Sequence, residues 1–228
     1  GVTREIFRPL TVSAEYSGSL GRNLYTVNVI NRPGDIIYSP TYQPIPGRIF
    51  DLRRLNPRFD DIELRGNSGF SSYHGATLGI RYGDLARTGL TLRANYTWSH
   101  TIDNLSSPFG TERFVGARGL LDPLNPKLDK GSADFDARHR LVLYGQWNVP
   151  FGKNLRGVSK VLFDGWQVSG ITTLTTGRPF NIGLAAGVNN GAPSWPNRTC
   201  SGKLDNPVPD RWFNETCFAA PPAFTYGN

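Results

Sequence analysis

The sequence predicts an all-β chain laid out as an antiparallel meander. Apolar residues recur at every second position over long runs, patterns of helical period are nearly absent, and turn-rich segments separate the runs. The composition agrees: 26 of the 228 residues are Gly and 17 are Pro, aromatic residues make up 12 %, and methionine is missing. Ordered runs of aromatic and β-branched residues exclude a disordered chain.

The elements follow in order. "GVTREIF" (1–7) reads as the middle of a strand. Leu10, Val12, Ala14 and Tyr16 alternate with Thr11, Ser13, Glu15 and Ser17. Residues 17–72 are then expected to be one long excursion with hairpin pieces of its own, "NLYTVNVI" and "DDIELRG". "YHGATLGIRY" carries Ala76, Leu78, Ile80 and Tyr82 on one row and Tyr73, Gly75, Thr77, Gly79 and Arg81 on the other. A short turn, "GDLART", leads into "TGLTLRANYTWSH", with Leu90, Leu92, Ala94, Tyr96 and Trp98 against Thr91, Arg93, Asn95, Thr97 and Ser99. Leu141, Leu143, Gly145, Trp147 and Val149 alternate with Arg140, Val142, Tyr144, Gln146 and Asn148. Last come Trp166, Val168, Gly170, Thr172 and Leu174 against Gln167, Ser169, Ile171, Thr173 and Thr175. Val142, Tyr144 and Ile171 interrupt the polar rows.

Alternation fits two architectures. One is a soluble or surface-attached β-sandwich, such as a glycan-binding adhesin. The other is part of a large transmembrane barrel with long extracellular loops. The strands run to roughly 10–13 residues, against ~5–6 in soluble sheets. Aromatics gather near strand ends, where a barrel places its interfacial girdles. No stretch reaches the ~18 apolar residues of a membrane helix, but a membrane strand needs only ~9–11. Connections also alternate in length, which places Phe7–Pro9, 83–87 and 150–163 on the periplasmic side and 17–72, 101–132 and 176–228 outside. The reading yields about six membrane strands, fewer than the ~8 of the smallest closed barrel, so the chain is expected to be a fragment of a longer protein. Candidates for the lumen are Arg81, Arg93, Asn95, Arg140 and Gln146. Candidates for the lipid face and its girdles are Tyr82, Leu90, Leu92, Tyr96, Trp98, Leu141, Leu143, Trp147 and Trp166.

The formal net charge of +7 points to anionic neighbours such as lipopolysaccharide phosphates, and no recognition motif accompanies it to indicate nucleic acid. Arg48, Arg53, Arg54 and Arg58 could meet such phosphates or form local ion pairs with Asp51, Asp60 and Asp61. Cys200 and Cys217 are either a disulfide formed outside the cytoplasm or two thiols. Asn95, Asn104, Asn197 and Asn214 begin glycosylation sequons, usable only in a secretory context that allows it. The run "DFDARHR" (134–140) could pair Asp134 or Asp136 with His139 as acid and base. Period 2 instead places Asp134, Asp136, Arg138 and Arg140 on one stripe and His139 on the other, which predicts a ladder of opposite charges at the wet end of a strand. His74, His100 and His139 are scattered and lack metal-ligand spacing. With no Gly-rich phosphate loop, no GxSxG and no paired catalytic carboxylates, no enzyme activity and no cofactor are expected.

Three segments then fall in a familiar order: "SSYHGATLGIRYGDLARTGLTLRANYTWSHTIDN", "DKGSADFDARHRLVLYGQWNVPFGKN" and "FDGWQVSGITTLTTGRPFNI". Together with the tail "RWFNETCFAAPPAFTYGN", they resemble the β-barrel of TonB-dependent outer-membrane receptors of the Oar-like group. The likeness is weakest over 31–60 and 181–210. It implies that residues 1–228 are the C-terminal part of such a barrel domain in the bacterial outer membrane. The implied partners are outer-membrane lipid and lipopolysaccharide, the receptor's own plug domain, the TonB energy-transducing complex and an imported ligand. The sequence holds no plug domain, no TonB-box segment and no terminal strand ending in an aromatic, so what it represents is pore wall and loops.

Overall fold

A computed structural model describes residues 1–30, 56, 58–59, 62–84, 87–107, 119–121, 125–151, 154–184, 195–222 and 227. The chain divides into two compact units. Gly1–Leu20, Ser71–Ile102 and Phe135–Pro179 form the first; Gly21–Phe70, Asp103–Asp134 and Phe180–Asn228 form the second.

The first unit is organised by one sheet. The strands of that sheet are β1 (Val2–Phe7), β2 (Leu10–Ile30), β3 (Ile62–Asp84), β4 (Leu90–Asp103), β5 (Gly131–Ser132), β6 (His139–Asn148) and β7 (Gln167–Thr175); β5 and parts of β2, β3 and β4 fall in the second unit. The spatial order is β1-β2-β3-β4-β6-β7, and β5 pairs with β4. The strands therefore neighbour one another in chain order, as a meander requires. Nine consecutive residue pairs join β4 to β6, from Leu90↔Trp147 to Trp98↔His139, and nine join β6 to β7. Nine residues fall within the ~9–11 that cross a hydrocarbon layer. β1 and β7 close the two ends of the sheet path and do not pair with each other, so the sheet is open. No described helix is long and apolar enough to cross a membrane, which says nothing of a β-barrel.

Two expectations are corrected here. "NLYTVNVI" and the described part of "DDIELRG" are not separate hairpins: residues 23–30 end β2 and residues 62–66 begin β3. The Ser- and Gly-rich run from Ser17 to Gly21 reads as a break, but glycine and serine pair their backbones like any other residue. β2 and β3 thus reach 21 and 23 residues, about twice what a bilayer needs. A short helix, α1 (Val158–Phe163), also stands in the β6–β7 connection, too short for its period to register in the sequence.

The second unit is held by polar side chains as much as by apolar ones. Leu121 is fully buried and packs with Leu128 and Trp195. Asp129 accepts from the Leu121 amide at 2.8 Å and the Trp195 indole at 3.3 Å. Asn104, 1 % exposed, accepts from the Phe70 amide at 2.9 Å and donates to the Ser68 and Pro126 carbonyls, each at 3.1 Å. Two small hairpins complete it: β8 (Asn197–Arg198) with β11 (Phe218–Ala219), and β9 (Lys203–Val208) with β10 (Arg211–Phe213). The Cys200–Cys217 disulfide ties the segment just after β8 to the 3-10 turn Glu215–Cys217, and it is worth about 3 kcal/mol by loop-closure entropy. Phe213 packs between Phe180 and Phe218, with ring centroids 5.7 and 5.6 Å away.

The β3–β4 turn depends on one glycine. Gly89 has φ +69, a Cβ there would stand 2.5 Å from the Asn148 carbonyl oxygen, and its own carbonyl accepts from the Asn148 amide at 2.8 Å. Gly89→Val should therefore destabilise the sheet by about 1–3 kcal/mol. A lowered heat-modification midpoint on a gel is the expected result; an unchanged midpoint would contradict this account of the turn.

Candidate functional site

Residues paired across antiparallel strands project to the same face of a sheet. The β4–β6–β7 registers therefore align the alternating rows strand by strand. One face carries Leu90, Trp147 and Val168; Leu92, Gly145 and Gly170; Ala94, Leu143 and Thr172; and Tyr96, Leu141 and Leu174. The other carries Thr91, Gln146 and Ser169; Arg93, Tyr144 and Ile171; Asn95, Val142 and Thr173; and Thr97, Arg140 and Thr175. β3 joins in phase, because Thr77 and Thr97 share a hydroxyl hydrogen bond of 3.0 Å. Arg81 then falls on the polar face and Tyr82 on the apolar one. Tyr82, Trp147 and Trp166 lie at the short-connection end of the apolar band, and Tyr96 and Trp98 at the other.

The apolar face is not a core. Leu78 is 54 % exposed, Leu92 45 %, Leu143 39 % and Trp166 62 %, and no described sheet packs across them. A sandwich would bury this face against a second sheet. The rows instead lie together on one side of one sheet, the arrangement of a barrel wall facing lipid.

The polar face has its own form. Thr3, Thr11, Ser13, Gly79, Arg81, Arg93 and Asn95, from four adjacent strands, surround a cavity of about 340 Å³ that Ile80 also borders. Small residues make the room. At Gly79, a Cβ would press on the Ser13 hydroxyl and come within 3.1 Å of the Asn95 amide oxygen. The result is a hollow of hydroxyls and an amide with two guanidiniums at its rim, a surface suited to water and polar partners. Tyr144, beyond the hollow, turns its hydroxyl to the Gln146 side-chain oxygen at 2.7 Å.

At the far end of the apolar band, two tyrosine–histidine pairs bridge neighbouring strands. The Tyr16 hydroxyl meets His74 Nδ1 at 2.7 Å, and the Tyr96 hydroxyl meets His139 Nδ1 at 2.7 Å. His139 is on the apolar side, as its place in the alternation requires.

The "DFDARHR" run departs from expectation. β6 begins only at His139, and Asp134–Phe135 form a turn, so period 2 does not extend back through 134–138 and no charge ladder forms. Asp136 is buried. Its carboxylate accepts from the Thr101 amide at 2.8 Å, His100 Nδ1 at 2.8 Å and Arg138 Nε at 3.1 Å. Arg138 NH2 also donates to His100 Nε2 at 3.1 Å. These partners assign His100 as the neutral Nδ1–H tautomer with both nitrogens occupied. The cluster is an anchor between the end of β4 and the start of β6, its carboxylate and imidazole bonded to each other, to the Thr101 amide and to Arg138. The register could have revealed it: carried two positions beyond Trp98↔His139, it brings His100 opposite residue 137.

Of the arginine cluster, only Arg58 lies among the described residues, where its amide donates to the Asn56 side chain at 3.1 Å; Arg48, Arg53 and Arg54 lie outside them. Among the described residues, no group of three or more His, Cys, Asp or Glu side chains could hold a metal ion. The buried, fully bonded Asn104 is closed to glycosylation. The Asn214 side chain caps the 3-10 turn by accepting from the Thr216 amide at 3.3 Å.

The sequence model of the outer membrane beta barrel domain family matches residues 1–228. The chain belongs to that family. No curated protein and no solved structure matches it. The exposed apolar band agrees with the family, and this outer membrane barrel domain resides in the bacterial outer membrane.

Asp136 lies outside the membrane-spanning segments, and its carboxyl titrates below the ordinary 3.8: burial pushes it up, but the Thr101 amide, His100 and Arg138 together outweigh burial. A lowered folded pKa adds stability above the ordinary value, and that stability is lost as pH falls through the folded pKa. Asp136→Asn should cost about 1–3 kcal/mol at neutral pH. In urea titrations the gap between wild type and variant should close below pH 3.8; a gap that persists there would show that shape, not charge, makes the anchor.

Proposed function

We propose that this barrel domain forms part of the wall and loops of a TonB-dependent ligand-uptake receptor of the Oar-like group, a transporter without enzymatic activity. The observation that carries the reading is the polar face of β1–β4. Arg81 and Arg93 stand over a hydroxyl-lined hollow on the side of the sheet opposite the lipid rows. Arg140 and Gln146 extend that face across β6. A wide barrel needs its lumen packed, and such a surface suits the polar exterior of a plug domain. The ordered resemblance of the three segments supports the same reading. So does the alternation of short and long connections, with the short ones assigned to the periplasm. The Asp136–His100 pair bonds the end of β4 to the start of β6, a structural use of the two groups that sequence alone could offer as acid and base.

The open sheet gives the wall a further requirement. Its two outer strands need partners within the membrane, because unpaired backbone groups cost several kcal/mol each in hydrocarbon. The wall is thus completed by strands beyond the six of this meander. The TonB energy-transducing complex, the plug domain and lipopolysaccharide are the partners this reading assigns; the ligand is left to the loops and plug.

Energy dependence tests the proposal. Growth on a scarce nutrient that requires this receptor should fail when the receptor gene is deleted, and equally when the TonB energy transducer is deleted. Growth that survives loss of the transducer would mark a passive pore and sink the reading. Within the wall, Leu92→Arg should lower assembled receptor in the outer membrane, at a cost of about 2–4 kcal/mol for a cation against lipid. Arg93→Gln should leave assembly intact and change uptake. Equal loss of assembly from both would refute the assignment of faces.

A further inference from the structure

The β6–β7 connection carries an apolar surface that the sheet does not use. None of the α1 side chains is buried. At 3.6 residues per turn, Val158, Val161 and Leu162 share one stripe, with Lys160 opposite. Val158 is 77 % exposed, Val161 82 %, and Leu162 and Phe163 57 % each. Leu155 and Phe151, just upstream, are also exposed. Facing water, such a concentration of large apolar side chains on one short connection would be a liability.

This surface is continuous with the lipid-facing rows. The connection leaves the sheet where the Val149 amide donates to the Trp166 carbonyl at 2.9 Å. The Trp166 indole donates to the Leu162 carbonyl at 2.7 Å, which fixes the last turn of α1 against a ring of the membrane girdle. Phe151 sets its edge on the Trp147 ring, with centroids 6.1 Å apart. Both tryptophans belong to the apolar face. The cations of the segment, Arg156 and Lys160, complete the composition of an interfacial helix; Lys160 also lies 3.9 Å from Asp164.

We propose that Leu155–Trp166, with Phe151, form an interfacial anchor in the phospholipid at the short-connection end of the wall. Val158, Val161 and Leu162 enter the acyl boundary, and Arg156 and Lys160 meet lipid phosphates. The inference rests on the membrane-facing assignment of the apolar rows and is independent of transport. A tethered connection of this kind fixes the depth at which β6 and β7 sit in the bilayer.

The test uses the protein that carries this chain, assembled in phosphatidylethanolamine–phosphatidylglycerol liposomes. Both cysteines of the sequence are in the disulfide, and the protein without an introduced cysteine gives the labelling background. Val161→Cys and Lys160→Cys are each labelled with an environment-sensitive fluorophore. Lipids brominated near the headgroup should quench the label at position 161 about two-fold more than the label at 160. Equal, weak quenching by brominated lipid at both positions overturns the proposal. Iodide access to position 161 would then indicate a solvated turn, and its protection would indicate a protein cover. Leu162→Cys serves as the second apolar position should Val161→Cys not assemble.

Discussion

In a medium without water, every backbone amide and carbonyl must find a partner within the protein, and most of this structure follows from that constraint. It selects strands paired into a wall over isolated segments. It makes neighbours of strands that are consecutive in the chain, because a short turn is the simplest way to pair each strand on both edges. It also frees the side chains from building a core. In the sheet of the first unit, cohesion comes from the ladders, and the side chains sort into an apolar face and a polar face.

The second unit solves the opposite problem. Where its described segments run outside the ladders, backbone groups take partners from side chains. Asn104, Asp129 and Asn28 supply them: each is buried and accepts from a backbone amide elsewhere in the unit, those of Phe70, Leu121 and Leu120 respectively. A buried amide or carboxylate satisfied in this way fixes the course of a loop more tightly than an apolar contact of equal size, because displacing the backbone leaves the group unpaired. The disulfide and the Phe180–Phe213–Phe218 row do the same for the C-terminal hairpins by covalent and dispersive means.

Much of the wall was legible in the sequence. The alternating rows fall on the faces their period assigns, because a strand offers its side chains only two directions. The rows broken by Val142, Tyr144 and Ile171 keep their phase, and Tyr144 resolves its own polarity by bonding to Gln146. Two kinds of feature do not show in the sequence. The extensions of β2 and β3 were hidden by glycine and serine, which look like turns and pair like strands. The Asp136 anchor was hidden by distance, since its histidine lies 36 residues away and enters only once the hairpin register is laid down. Reactive groups that crowd together in sequence were thus a poor guide to which groups meet, and strand register was a better one.

The open edges of β1 and β7 bear on how such a wall is made. A sheet path of six described strands, taken alone, would carry two rows of unpaired amides and carbonyls into hydrocarbon. Its insertion and its pairing with neighbouring strands must therefore proceed together, as one collective step. Until that step the apolar rows face water and the edges offer themselves to any strand, which makes the interval before membrane entry the period of greatest exposure to aggregation.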